Sequence, residues 1–410
     1  MGELKKTLGL LEGSTLAIGS IIGSGILFLP SLTFSIAKYD VAIVWPLATL
    51  LCIPLLFIFS DMLRVTPNAE GIESFIQLGL GKNIASAIPI IFLGTVTLGM
   101  PSAAIIAGEY AYKAINSSTT VPFVAYSLII IAVVVNLLGG KLSGKINTIV
   151  AFSLFVVGGI VVFMTAKMAA PLYPSIIPNY NFSSISKAIV LAFWAYAGFE
   201  NLSFIAGEFK NPKRDYFLSM IIALVVCGLL YFAISINYAA LISNNNVDSV
   251  AGLSQLTSLA GLSPTFSIVL ALFAIFCVLI NLISWTWGIS RLIFVSANKG
   301  FLPRYFGVQK NNIPQRSMLL LGTIFIVTLS LGILLPQYFE SALNVVSTNF
   351  VFVYVLCLIS YVIYVKNPIK RIVGLILLLG LIILLSSSGW LLLYPVTLTL
   401  ISWSLQRRIG

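Results

Sequence analysis

"IGSIIGSGILFLP", residues 18–30, sits inside an apolar run long enough to cross a bilayer, yet it puts Gly19, Gly23 and Gly25 near the middle of that run. Glycine is among the poorest residues in a helix interior. Lipid, meanwhile, demands that a spanning helix satisfy every backbone group internally. The stretch therefore weakens a helix where its continuity matters most. The rest of the chain decides what that weakening is for.

The 410 residues are 59% hydrophobic and only 9% charged, with a mean hydropathy of +1.06. A soluble domain carries about 25% charge. Apolar runs of spanning length recur throughout, without the period-2 alternation of a β-barrel. The chain reads as an all-α membrane protein with about twelve transmembrane helices, at residues 13–37, 41–63, 85–115, 121–139, 146–168, 185–207, 216–240, 265–297, 317–335, 341–365, 370–386 and 388–406.

The net charge of +11 follows the loops. With the N-terminus in the cytoplasm, nineteen of the 23 Lys and Arg residues fall at the cytoplasmic side, leaving Lys38, Lys113, Lys167 and Lys187 for the other face. This positive-inside bias puts both termini in the cytoplasm. It accounts for the basic balance without a nucleic-acid partner. The first run is too long for a signal peptide and lacks a small-residue cleavage site, so it is expected to be retained.

The sequence contains no His, which excludes imidazole catalysis, His-ligated metal and His proton relays. Cys52, Cys227, Cys277 and Cys357 all lie in apolar runs without CxxC spacing, as small buried hydrophobes do. There is no HExxH and no paired intramembrane aspartate, so an enzyme is not expected. No cofactor or metal site is expected either.

A second interrupted run matches the first. "FWAYAGFENLSF", residues 193–204, places Ala195, Ala197 and Gly198 among aromatics, with Glu200 and Asn201 just beyond. Runs one and six are thus both broken near their middles. Paired Gly-interrupted segments at corresponding places point to an inverted-repeat transporter. Unwinding a turn frees N–H groups suited to an anion and carbonyls suited to an ammonium. Two such breaks can hold a zwitterionic amino acid without a charged side chain. Gly23 and Gly25 let the backbone turn and approach a carboxylate, and the Ser24 hydroxyl adds a donor. Small residues also serve close helix packing, so Gly23-Ser24-Gly25 alone would be ambiguous; the matching break favours a site.

At these residues the chain resembles the amino acid–polyamine–organocation transporter superfamily. "LGLLEGSTLAIGSIIGSGILFLP" (8–30) resembles that family's first helix, and "FWAYAGFENLSFIAGEFKNPKRD" (193–215) its sixth helix and following loop. "SANKGFLPRYF" (296–306) followed by "IPQRS" (313–317) resembles the end of its eighth helix. The likeness covers residues 4 to about 365. Within the superfamily it is most similar to bacterial exporters of L-methionine and branched-chain amino acids.

The resemblance implies a core of two inverted five-helix repeats over residues 1–366 and two peripheral helices over 367–410. It implies that Ser24 and the Gly25 amide bind the substrate carboxylate, and that the carbonyls of Ile21, Trp194 and Ala197 receive the ammonium. Trp194 would gate the site, Trp285 would pack beside the substrate side chain, and Glu200 would serve the inner gate or proton coupling. Trp287 points elsewhere on its helix and serves as the contrast to Trp285. Ser347 and Asn349 are as readily explained by inter-helix hydrogen bonds. The fifth run has no Lys, with Ser153 or Leu154 near the place where some relatives carry one. Lysine-based coupling therefore does not transfer, sodium coupling finds no ligand cluster, and proton antiport or simple exchange stays open.

The expected function is a secondary transporter of neutral apolar L-amino acids (methionine, leucine, isoleucine, valine), working as an exporter in the bacterial cytoplasmic membrane. An exchanger of basic amino acids or polyamines is the alternative. A channel or a nutrient sensor on the same fold stays open from sequence. Oligomeric state is not legible. Three local expectations complete the reading. Glu109 pairs with Lys113 at i,i+4, Asp61 and Arg64 close run two in a similar way, and the amphipathic segment 68–83 lies along the inner surface or folds back between helices.

Overall fold

The computed structural model describes residues 9–65, 71–117, 119–198, 209–242, 246–311 and 313–409. Nine helical stretches in it are long and apolar enough to span a membrane, and Phe182–Tyr196 and Gly389–Ser404 are shorter apolar helices. The first run forms two helices, α1 (Leu10–Ile22) and α2 (Gly25–Ala37). A turn over Lys38–Asp40 leads into α3 (Val41–Val65). Next come α4 (Gly71–Ala85), α5 (Ile88–Ile115), α6 (Thr120–Leu138), α7 (Gly140–Ala169) and α8 (Phe182–Tyr196). The second half holds α9 (Phe217–Leu241), α10 (Gly252–Leu259), α11 (Pro264–Asn298), α12 (Gln315–Leu334), α13 (Phe339–Tyr364), α14 (Pro368–Ser386) and α15 (Leu393–Ile409).

The twelve expected passages fall on α1 with α2, then α3, α5, α6, α7, α8, α9, α11, α12, α13, α14 and α15. The protein is an all-α, multi-pass membrane protein. Among the described residues the β-bridge Lys310–Ile313 is isolated from any strand. Helices α5, α11 and α13 form the packed centre: α5 meets α11, α6, α12 and α13, while α13 meets α4 and α8. Helices α1 and α2 lie against α9, with α7 beside α1 and α8 beside α2. Large apolar side chains such as Phe152, Phe155 and Phe163 on α7 and Ile369, Ile372 and Ile376 on α14 face outward. Exposed apolar surface on that scale suits lipid.

Two connections contain packed helix. Segment 68–83 folds back between helices from Gly71 onward, with Ile72, Phe75 and Ile76 buried. The Ser360 hydroxyl of α13 donates to the Phe75 carbonyl at 2.6 Å and accepts the Gly79 N–H at 2.8 Å. The long polar connection 242–264 contains α10. Its Leu253 and Leu256 are buried, and it packs on α2. Short apolar spacing hidden among Ser, Gln and Thr gave little signal at the sequence level.

Candidate functional site

α1 ends at Ile22 because Gly23 has φ +34° and ψ −138°, a conformation L side chains rarely adopt. The Asn281 side-chain amide of α11 also stands where a Cβ on Gly23 would lie. Gly25 opens α2, and a Cβ there would come within 2.5 Å of the Tyr231 phenol oxygen on α9. Both glycines are therefore required by close approach.

The Gly23 N–H still reaches the Gly19 carbonyl at 3.3 Å, and the Leu27 N–H reaches the Ser24 carbonyl at 3.1 Å. Between them, Gly23 and Ser24 form a turn that separates α1 from α2. The helix start at Gly25 directs its N-terminal dipole end toward the break, an environment that suits an anion. Across the break, the Ile22 carbonyl accepts the Tyr231 hydroxyl at 3.0 Å.

The second break follows Tyr196. Ala197 is extended (φ −63°, ψ 124°) and Gly198 has φ +147°. The Ala197 N–H turns back onto the Trp194 carbonyl at 3.0 Å. That carbonyl, assigned to the ammonium by resemblance, thus keeps one lone pair for it. Glu200 lies outside the described residues.

The aromatic residues occupy two levels of α5. Trp194 meets Phe28 edge-on, ring centroids 5.3 Å apart, and lies with Val346 against Gly99. Trp285 joins Phe350 at 5.6 Å and Phe92 at 6.5 Å. Gly99 and Phe92 are two turns apart on α5, about 10 Å along its axis, so the two tryptophans lie on separate levels. Trp287 is half-buried, with the Arg291 guanidinium 3.3 Å over its ring.

Between these levels lies a buried polar pair. The Thr95 hydroxyl donates to the Ile91 carbonyl at 2.7 Å, so its oxygen can only accept from Asn349 Nδ2 at 3.0 Å. Asn349 Oδ1 is left buried and unpartnered. Ser347 bonds within its own helix, to the Leu343 carbonyl.

Helix α10 covers one end of this region. The Tyr110 hydroxyl donates to the Leu27 carbonyl at 2.7 Å and accepts the Leu253 N–H at 3.0 Å, tying α5, α2 and α10 together. Lys113 pairs with Asp248 in the connection before α10, which corrects the expected Glu109–Lys113 pair. The i,i+4 rule considers one helix at a time and could not register a loop carboxylate. Burial works to raise the Asp248 carboxyl, but the Lys113 ammonium and the N–H groups of Ala251 and Val250 outweigh it, holding it below the usual carboxylate range. Asp61 meets Lys370 and the Tyr361 hydroxyl, while the Arg64 side chain lies outside the described residues. At the opposite face, fully buried Glu73 of α4 accepts from Ser296 at 2.9 Å and pairs with Lys299 at 2.7 Å.

Sequence reasoning missed Tyr231, Asn281, Tyr110 and Phe28. Asn281, a lone carboxamide in an apolar run, carried a signal of its own. The tyrosines and Phe28 did not, because membrane aromatics are usually packing residues.

The sequence model of a family described as amino acid permease matches residues 8–405. The uncharacterized amino acid permease YecA of Bacillus subtilis is 27% identical over 407 residues, 97% of this chain and 94% of that one. The L-methionine/branched-chain amino acid exporter YjeH of Escherichia coli is 25% identical over 244 residues, 58% of this chain and 57% of that one. Among solved structures, MhsT in complex with L-phenylalanine superposes with a TM-score of 0.71 at 15% identity, covering 95% of this chain and all of that one.

Proposed function

The chain belongs to the amino acid permease family, and from that premise we propose that it is a secondary transporter of neutral, apolar L-amino acids such as methionine, leucine, isoleucine and valine. The observation that carries this is the first break. There α1 ends at Ile22 and α2 starts at Gly25, so a helix N-terminus suited to an anion lies beside helix-end carbonyls suited to an ammonium. The helices around that break carry no Asp, Glu, Lys, Arg or His in segments 16–37, 88–108, 188–198, 217–241, 265–290 and 341–365. A neutral substrate is the one such walls accept without an unpaired charge.

In this reading the substrate carboxylate meets Ser24 and the Gly25 amide. Its ammonium meets the carbonyls of Ile21, Ala197 and the free lone pair of Trp194. Gly23 and Gly198 supply the turns, while Phe28 and Trp194 line the side-chain space with Trp285 on the next level. The basic face is cytoplasmic, both termini are inside, and residues 1–366 form the inverted-repeat core with 367–410 peripheral. Export by proton antiport or exchange accords with the likeness to YjeH, with Glu200 as the proposed gate or coupling carboxylate.

Counterflow tests the proposal. Proteoliposomes preloaded with unlabelled leucine should accumulate labelled leucine saturably, methionine, isoleucine and valine should compete, and Trp194→Ala should abolish uptake. Accumulation driven only by lysine, arginine or putrescine would overturn it in favour of a basic amino acid or polyamine exchanger. A response to an imposed pH gradient would separate antiport from exchange.

A further inference from the structure

A polar side chain stands against each glycine of the first break, and the two are in different states. On the α9 side, beside Gly25, the Tyr231 hydroxyl is committed to the Ile22 carbonyl at 3.0 Å. On the α11 side, the Asn281 carboxamide takes the space a Gly23 Cβ would fill, with Nδ2 2.2 Å from that position and Cγ 2.9 Å from it. Asn281 makes no hydrogen bond among the described residues, although it is only 5% exposed.

A buried carboxamide without a partner costs stability, and elsewhere the fold avoids that cost. Asn136 puts its Nδ2 on the carbonyls of Ala132 and Ile283. Asn237 is held by Tyr173, Thr165 and the Val162 carbonyl. Asn281 has no such arrangement. Its donor end lies instead at the turn from which α2 starts, where the positive end of that helix's dipole favours an anion. Asn281 and Trp285, four residues apart, share one face of α11 about 6 Å apart along its axis. Trp285 lies against Phe92 and Phe350. One helix face thus sets a hydrogen-bond donor at the break and an aromatic surface one turn further on, matching the two ends of an apolar amino acid.

We infer that Asn281 is a substrate-contacting residue: its Nδ2 donates to the carboxylate of the amino acid bound at the first break. The inference rests on the proposal that this break binds amino acids, and deepens it by adding a ligand from α11 to Ser24 and the Gly25 amide. It also gives Gly23 a second purpose, because any side chain at that position would displace the carboxamide.

The test uses two pairs of ligands that differ by the carboxylate: L-leucine with 3-methylbutylamine, and L-lysine with cadaverine. Binding to the purified full-length protein is measured for wild type, Asn281→Leu and Asn281→Asp. Asn281→Leu should weaken leucine about tenfold, the size of one buried hydrogen bond, and change the amine less than about twofold. Asn281→Asp keeps the shape but faces the carboxylate with a like charge, so it should weaken leucine further and tighten the amine. Without ligand, Asn281→Leu should unfold at the wild-type temperature or above, because no hydrogen bond within the protein is lost. Equal weakening of leucine and the amine would reduce Asn281 to packing and overturn the inference, as would unchanged leucine affinity. Leucine binding that strengthens with sodium in wild type but not in Asn281→Leu would make the carboxamide a cation ligand, and would overturn it too. If lysine binds and leucine does not, the neutral substrate class falls, and the lysine–cadaverine pair then judges Asn281 by the same ratios. A wild type that binds none of the four would overturn both readings.

Discussion

Trp45 and Tyr231 form a parallel stack, centroids 4.6 Å apart, in which the indole Nε1 of Trp45 is buried without a hydrogen-bond partner. The indole thus serves as a surface for the phenol rather than as a donor. Trp45→Phe keeps a stacking ring and removes the orphan N–H, so it should leave stability nearly unchanged. Trp45→Ala removes the ring and should cost about 3 kcal/mol or more, as large-to-small core changes do. Thermal unfolding of the two variants in one detergent checks the contrast.

Gly25 and Tyr231 compete for one space. Gly25→Ala places a methyl group 2.5 Å from the phenol oxygen but 3.5 Å from the ring carbon bearing it. The single substitution should lower the unfolding temperature and abolish transport. Adding Tyr231→Phe should restore part of the lost stability, because the closest clashing atom is gone and only Leu29 Cδ1, at 2.9 Å, must still give way. The double-mutant cycle should therefore depart from additivity, and strictly additive unfolding shifts would contradict the contact.

Both breaks were legible in the sequence because glycines inside an apolar run form a local contradiction. Hydropathy placed the helices for the same reason: lipid imposes length and composition on each one separately. What packs against the first break was not legible. Tyr231 reaches Ile22 across 209 residues, and Asn281 meets Gly23 across two separate runs. No periodicity within one segment encodes either contact. Lys113 shows the same limit, since its nearest carboxylate in the sequence was not its partner in space.

The Lys113–Asp248 pair fastens the connection before α10 to the end of α5. Because the Asp248 carboxyl is held below its usual range, the folded state gains from its ionisation. That gain is present above the unfolded pKa of about 4 and is lost as pH falls through the lowered folded value. Acidification below about pH 4 should therefore release the 246–255 segment, as faster amide exchange there would show. Asp248→Asn should give the released behaviour at neutral pH, and a segment insensitive to both changes would argue against this fastening.

At the opposite face, Glu73 is fully buried between Ser296 and Lys299. Glu73→Ala leaves the ammonium facing an apolar gap and should destabilise by about 3 kcal/mol, typical of a broken buried pair. Glu73→Gln can still accept from Ser296 and should cost less. Proteolysis within α4, followed over time in both variants, would rank them.

Asn349 presents the sharpest test of how the site chooses a side chain. Its Nδ2 is fixed on Thr95, which leaves Oδ1 as a buried acceptor without a partner, between the levels of Trp194 and Trp285. A group kept for stability alone would not be left in that state, since an unpaired buried acceptor costs about 1–3 kcal/mol. Asn349→Leu, close to it in shape, removes the orphan oxygen. Thr95 keeps its own bond to Ile91. The variant should therefore unfold at the same temperature as wild type or a higher one. In competition against labelled leucine, threonine and valine differ by a hydroxyl in place of a methyl group. If Oδ1 faces the substrate, the threonine-to-valine ratio should fall about tenfold in Asn349→Leu, the value of one hydrogen bond gained or lost. A lower unfolding temperature with an unchanged ratio would instead place an ordered water on Oδ1 and make Asn349 part of the α5–α13 contact.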